Sequence, residues 1–178
     1  MDGEGSFVIS IHKQPHMTMK HQITPHIEMS LTKSSGWILE KIQKTLGVGT
    51  IKCRERKNNE YPNRNPLVVW RIRNMEQVNE LTDLLTPYLQ LKKQIAQNFK
   101  IILSMWNKGE QNTSEGFIKM STLRDQLNNH RTKGPSYLNS DYFRRYFTEH
   151  PITDAMYAQA EHYRRRPKYL KKFIEKPP

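Results

Sequence analysis

Two stretches of strict two-residue alternation near the start of the chain constrain its fold more than any other feature. In the first, Phe7, Ile9 and Ile11 oppose Ser6, Val8, Ser10 and His12; in the second, Ile23, Pro25, Ile27, Met29 and Leu31 oppose Gln22, Thr24, His26, Glu28 and Ser30. A period of two is the signature of a strand with one buried face, because slipping the register by one residue would turn every apolar side chain to water. The intervening residues 13–20, broken by Pro15, are short enough to join the two strands as a hairpin. Pro25 cannot donate to a ladder, so it belongs at an edge or a bulge.

The same grammar recurs once. Ser34-Ser35-Gly36 offers a helix start, Trp37, Ile38, Lys41, Ile42 and Leu46 recur at helical spacing, and Gly47 ends the run. Gly47-Val48-Gly49 opens a third strand in which Thr50, Lys52 and Arg54 alternate with Ile51 and Cys53. After a polar, Asn-rich turn over 57–65, Val68, Trp70 and Ile72 alternate with Val69, Arg71 and Arg73, completing a second hairpin. Residues 75–85 read as a helix, and Pro87 opens a longer one whose apolar side is Leu89, Ile95, Phe99, Ile102, Leu103 and Trp106. The expected fold class is α+β: a curved antiparallel sheet with helices on one face over residues 1–106, then a basic, mainly helical C-terminal extension over 107–178. In that extension helices are expected at 122–128 and 154–166, with a break at Gly134-Pro135.

Charge narrows the partners. The 178 residues carry 29 Lys and Arg against 17 Asp and Glu, a net charge of +12. Up to Trp106 there are 15 against 9 and after it 14 against 8, so each part carries +6. A positive charge spread along the whole length is what a polyphosphate ligand rewards, through the counterions that binding releases. No apolar run approaches the roughly 20 residues of a bilayer-spanning helix, and the opening residues lack a secretory leader's basic flank and apolar stretch. Cys53 stands alone, which excludes an internal disulfide and a cysteine-rich zinc site. His12, His16, His21 and His26 show no closed metal spacing, and most of the histidines are expected on the surface or in a groove.

The motif Asp2-Gly3-Glu4-Gly5-Ser6-Phe7, running into an alternating strand, resembles the end of the segment that names the LAGLIDADG homing endonucleases. Trp37 on a helix, Leu46-Gly47-Val48-Gly49 entering a strand, and the run from Leu85-Thr86-Pro87-Tyr88 through Lys92-Lys93-Gln94 into a helix resemble the family's elements in type, order and spacing. The resemblance covers about residues 1–106 and implies an αββαββα domain. It also implies that Glu4, with Gly3, lies at a catalytic metal site holding Mg2+, and that Lys92 is a basic residue near the cleaved phosphate, with Lys93 or Gln94 able to share that role. In this register Met1 stands at the last apolar position of the motif helix that normally builds the dimer seam. The implied assembly is a homodimer or a partner protein that completes the helix, and the implied residence is an organellar matrix.

The binding surface follows from the alternation. Ser10, His12, Gln14, Gln22, Thr24, His26, Glu28, Thr50, Lys52, Arg54, Arg71 and Arg73 fall on one side of the sheet, where a sheet laid in the major groove finds donor and acceptor patterns unique to each base pair. The aromatic, basic end with Arg164, Arg165 and Arg166 offers phosphate contacts and stacking. Two functions fit: a Mg2+-dependent, site-specific homing endonuclease acting on double-stranded DNA, and a catalytically lapsed descendant that binds structured RNA as an organellar ribosome component or intron-splicing factor. A DNA-binding regulator has no helix-turn-helix pattern to support it.

Overall fold

The computed structural model describes residues 2–54, 65–128 and 137–152. Four strands, β1 (Gly5–Lys13), β2 (His21–Thr32), β3 (Thr50–Arg54) and β4 (Leu67–Ile72), form one antiparallel sheet in the order β1-β2-β4-β3. Each sequential pair is a hairpin. The second strands of the two hairpins pair with each other in the centre, joining Ile27–Thr32 to Leu67–Ile72 in antiparallel register. Pro25 sits opposite Ile9 at a point where β2 has β1 as its only strand neighbour, so its missing N–H removes no bond to β4. That is why proline is tolerated in an otherwise central strand.

Cross-strand partners share a face, and the register sorts the side chains cleanly. Phe7, Ile27 and Ile72 align across three strands, as do Met29, Trp70 and Ile51. Against this apolar face pack α1 (Gly36–Leu46), α2 (Met75–Leu85) and α3 (Lys93–Asn107), through Leu39, Val78, Leu81, Ala96, Phe99, Ile102 and Leu103. The Phe7 and Phe99 rings lie 5.1 Å apart. The two core tryptophans lean on carbonyls: the Trp70 Nε1–H donates to Val48 O at 3.0 Å and the Trp106 Nε1–H to Ile23 O at 3.3 Å. Each indole thereby buries its ring without leaving a donor unpaired.

α1 turns a different side inward from the one its sequence pattern indicates. Gly36 and Leu39 are its buried residues, while Trp37 is 62% exposed and Ile38 and Leu46 are exposed too. The reason lies at Gly36, where a Cβ would come within 2.7 Å of Val68 Cγ2. The helix approaches β4 through its glycine, and that contact fixes its rotation.

The helix expected from Pro87 begins later. Thr86–Tyr88 form a single 3-10 turn, Leu89 is extended, and α3 starts at Lys93. The N–H groups of Gln90 and Lys92 are taken by the Asp2 carboxylate instead of helix carbonyls. Beyond α3, α4 (Ser114–Asn128) starts eight residues before the expected 122–128 segment. A further helix, α5 (Ser140–Glu149), was not anticipated; its Asn139 cap accepts from Tyr142 N at 2.8 Å. Phe117, Met120, Phe143 and Phe147 of α4 and α5 belong to the same buried cluster as the sheet. Arg124, 4% exposed, joins the two helices by bonding Asp125 and Leu138 O, while Asp125 accepts from Ser140 N. The polar turn at 57–64, the Gly134-Pro135 break and the helix expected over 154–166 lie outside the described residues.

Candidate nucleic-acid interface

The polar face assembles from all four strands. Register places Ser10 opposite Thr24, His12 opposite Gln22, Glu28 opposite Arg71, and Arg71 opposite Thr50, so these residues, with His26, Lys52 and Arg54, share the side turned from α1, α2 and α3. Gln14 and Arg73 lie just past the ends of β1 and β4; Gln14 belongs to the turn, its N–H donating to Lys20 O. Arg164, Arg165 and Arg166 lie outside the described residues.

The histidines divide in a way their spacing did not reveal. His12 and His16 are exposed as expected for most of the histidines, but His26 is 4% exposed and His21 3%, so these two are buried. The His26 Nδ1 lies 3.2 Å from Thr24 O, and burial holds its pKa below the usual imidazole value. His21 is packed edge-on by Tyr142, Phe143 and Tyr146 of α5, with Nδ1 3.1 Å from Met19 O; burial depresses its pKa as well. His21 is opposite Lys13 and holds the end of the hairpin against α5.

Glu28 is the only acid among the described strand residues of this face. It is no isolated acceptor: the Arg71 Nε–H donates to Glu28 Oε2 at 2.7 Å and Arg71 Nη2 bonds the same oxygen, while Arg54 Nη2 and His26 Nε2 each approach it at 3.9 Å. Lys52 and Arg54 are exposed on β3. The sheet thus presents an outer cationic strand beside a central acid-base pair.

At the entry to β1 a second constellation forms around the acidic motif. Asp2 bridges to a segment about 90 positions away: its carboxylate accepts the Gln90 N–H at 2.8 Å and the Lys92 N–H at 3.1 Å. The Gln90 bond, followed by those to Lys92 and Leu91, outweighs desolvation and lowers the Asp2 pKa below 3.8. In return the Lys92 ammonium donates to Gly3 O at 2.6 Å and Gly5 O at 2.5 Å. The two carbonyls flank Glu4, whose side chain is exposed. Lys92, distant in the chain, is therefore brought against the backbone of the segment that carries Gly3 and Glu4. In the sequence Asp2 stands out only as part of a motif; a carboxylate accepting loop N–H groups leaves no spacing signal, so its clamping role shows only in the fold.

The chemistry of the donor set can be tested against a metal. Among the described residues no three His, Cys, Asp or Glu side chains converge on one point. The exposed Glu4 carboxylate is a hard oxygen donor on an open surface, and the Gly3 carbonyl, which already accepts from the Lys92 ammonium, has a second lone pair to offer; such a set suits a cation that keeps several waters and shares phosphate oxygens with its substrate, as Mg2+ does. A soft or tetrahedral metal has no fitting ligands there. Among the described residues no helix is long and apolar enough to cross a membrane.

Comparison with solved structures places the chain among similar folds. The homing endonuclease I-CvuI, in complex with the I-CreI target, superposes with a TM-score of 0.69 at 19% identity, covering 83% of this chain and 87% of that one. An archaeal intron-encoded homing endonuclease complexed with DNA gives 0.68 at 20% identity, over 83% and 89%. The LAGLIDADG homing endonuclease I-SmaMI, bound to cleaved DNA, gives 0.63 at 21% identity over 85% of this chain but 46% of its own, so the present chain spans about half its length. No curated protein matches the sequence. The profile of the LAGLIDADG endonuclease family matches residues 1–104, more than half of the chain and the whole of the segment that carries both the polar sheet face and the Glu4–Lys92 constellation, and the chain belongs to that family.

Proposed function

We propose that this chain is a site-specific, homing-type DNA endonuclease that hydrolyses phosphodiester bonds with Mg2+, its polar sheet face lying on the duplex. The observation that carries the reading is the convergence of Glu4 with Lys92, whose ammonium bonds the carbonyls on both sides of that acid. Glu4, with the Gly3 carbonyl, would hold the cation. A bound Mg2+ supplies Lewis-acid stabilisation of phosphoryl charge and a more acidic water.

The chain's own residues do the rest. Lys92 places a positive charge beside the acid, where charge develops on the phosphate in the transition state; preorganised donors of this kind are commonly worth about 100- to 1,000-fold in rate. Asp2 holds the Lys92 backbone in place and so fixes the origin of that side chain. Lys52 and Arg54 supply phosphate affinity, and the central strands face the base edges. One Glu4 per chain serves one phosphate, so cutting both strands of a duplex calls for a second half, either another copy of the chain or a partner protein. The half-length coverage of I-SmaMI supports that arrangement.

The test is incubation of the purified chain with a library of duplex targets and Mg2+. The expected result is double-strand cutting at a preferred sequence, lost in Glu4→Gln with duplex binding retained. Tight binding to structured RNA with no nicking of any duplex, unchanged in Glu4→Gln, would overturn the proposal.

A further inference from the structure

The one acid on a face built to meet phosphate calls for an explanation. An uncompensated carboxylate there would repel the ligand and erode the affinity that Lys52 and Arg54 supply. Glu28 escapes this because it is bonded along one edge of the Arg71 guanidinium, by Nε and Nη2, and the two side chains are only about a fifth exposed, at 18% and 20%. The pair stands on β2 and β4, the two central strands, with neighbouring Thr50 donating to Arg71 O at 3.4 Å.

Geometry decides what such a pair can do. A guanidinium has five N–H groups in a planar fork. Glu28 occupies the side formed by Nε and Nη2, which leaves the end-on pair of N–H groups, on Nη1 and Nη2, directed away from the acid. That edge matches the O6 and N7 acceptors of guanine in the major groove, the commonest specific arginine contact. Net charge points the same way. Arg71 bonded to Glu28 is neutral as a unit, so it has little to gain from a phosphate and its hydrogen bonds retain their directional value.

We infer that Glu28 and Arg71 act together as a prealigned guanine-reading element, with Arg71 the base contact and Glu28 the positioning residue that holds its fork. The inference rests on the DNA-binding reading above and assigns phosphate affinity and base choice to different strands: β3 for the former, the β2–β4 pair for the latter. His26, buried beside Glu28 and 3.9 Å from its Oε2, buttresses the acid from the same strand.

The experiment is selection from a pool of randomised duplexes in Ca2+ buffer by the full-length chain and four variants, Arg71→Ala, Arg71→Lys, Glu28→Gln and the double variant Arg71→Ala/Glu28→Gln, each checked for an unchanged circular dichroism spectrum. Salt dependence is then measured on one fixed random duplex. Wild type should select guanine at one position per half-site, by about 5- to 150-fold, the range of one good bidentate contact. Both Arg71 variants should lose that preference while keeping the rest of the consensus, Arg71→Lys because it keeps the charge but not the fork. The double variant Arg71→Ala/Glu28→Gln, which removes the two charges of the pair together, should leave the salt slope within about half a unit of wild type; Glu28→Gln alone should steepen it by up to about 0.9, one added phosphate contact.

An Arg71→Ala consensus identical to wild type, or a slope flattened by about 0.9 in the double variant, would overturn the inference and leave the endonuclease proposal standing. If wild type selects no duplex at all, both fall. A variant that unfolds is replaced by reading Arg71→Lys alone, whose retained charge keeps the ion pair with Glu28, and an unaltered guanine preference there also overturns the inference.

Discussion

Replacing Gly49 by alanine should cost far more stability than the same change two residues earlier, although both glycines have a left-handed backbone. Gly47 caps α1 at φ +67° and Gly49 enters β3 at φ +82°. A Cβ built on Gly47 meets nothing within 4 Å. Its replacement therefore incurs only the left-handed backbone penalty, about 1–2 kcal/mol, offset in part by the roughly 0.4–1 kcal/mol that alanine recovers in the unfolded chain. At Gly49 the same Cβ would lie 2.5 Å from Trp70 Nε1, 2.9 Å from Ile72 Cγ1 and 3.1 Å from Arg71 O. Two of those neighbours are fully buried core side chains and the third is backbone, so none can swing away. Overpacking of this kind adds about 1–3 kcal/mol, and displacing the indole loses its bond to Val48, roughly another 1 kcal/mol. Gly49→Ala should thus be destabilised by about 3–5 kcal/mol and Gly47→Ala by about 1 kcal/mol. Urea unfolding followed by tryptophan fluorescence reads the difference as a midpoint lower by one molar or more for Gly49→Ala. Equal midpoints for the two variants would refute the steric argument.

Lys52→Ala removes an exposed cation from β3 and should flatten the salt slope of duplex binding by about 0.9 per copy bound, so that between 50 and 200 mM salt each copy loses roughly 3.5-fold less affinity than wild type; titrations at several salt concentrations check this. His21 and His26 both have pKa values depressed below 6.5 by burial, so their stabilisation is complete above pH 6.5 and is lost as pH falls through the depressed folded values. The urea midpoint should accordingly hold above neutrality and drop as pH falls below 6.5, with a weaker drop in His21→Gln; equal acid sensitivity in that variant would remove His21 as a cause. The Asp2 carboxylate, its pKa lowered by backbone N–H bonds, contributes above pH 3.8 and ceases to as pH falls through its folded value. Asp2→Asn should speed amide exchange at Gln90 and Lys92 at neutral pH and lower kcat more than duplex affinity, whereas unchanged exchange would show that the carboxylate holds nothing.

The strands were legible because alternation is imposed residue by residue, by which side of a sheet is wet. Ile23, Ile27 and Met29 could be assigned a face without knowing what packs on them. α2 was legible to the residue, since Asn74 caps it and Leu81 and Val78 recur toward the core. Rotation of α1 was not, because it depends on a contact between Gly36 and Val68, on elements that periodicity treats separately. The start of α3 was obscured by a remote cap: no window around Pro87 contains Asp2. α5 did carry a signal in Asn139-Ser140-Asp141 followed by Tyr142, Phe143, Tyr146 and Phe147 at helical spacing, a cap and stripe that the aromatic content masked. At the site, Glu4 and Lys92 were reached through the family motif, whereas the Glu28–Arg71 pairing depends on which strands are neighbours. Alternation gives the face of each residue and says nothing about the residue across from it.

On the endonuclease reading proposed above, the bonds between Asp2 and the 90–92 segment also bear on when the protein could act on DNA. They close a loop nearly as long as the family domain itself, and contacts so distant in sequence are entropically expensive until the intervening elements have condensed. A chain still emerging from the ribosome, or one partly unravelled, has its acid at one end and its ammonium unassembled at the other. On that reading nuclease competence would belong to the finished fold alone, and a half-built molecule would have no assembled site with which to cut.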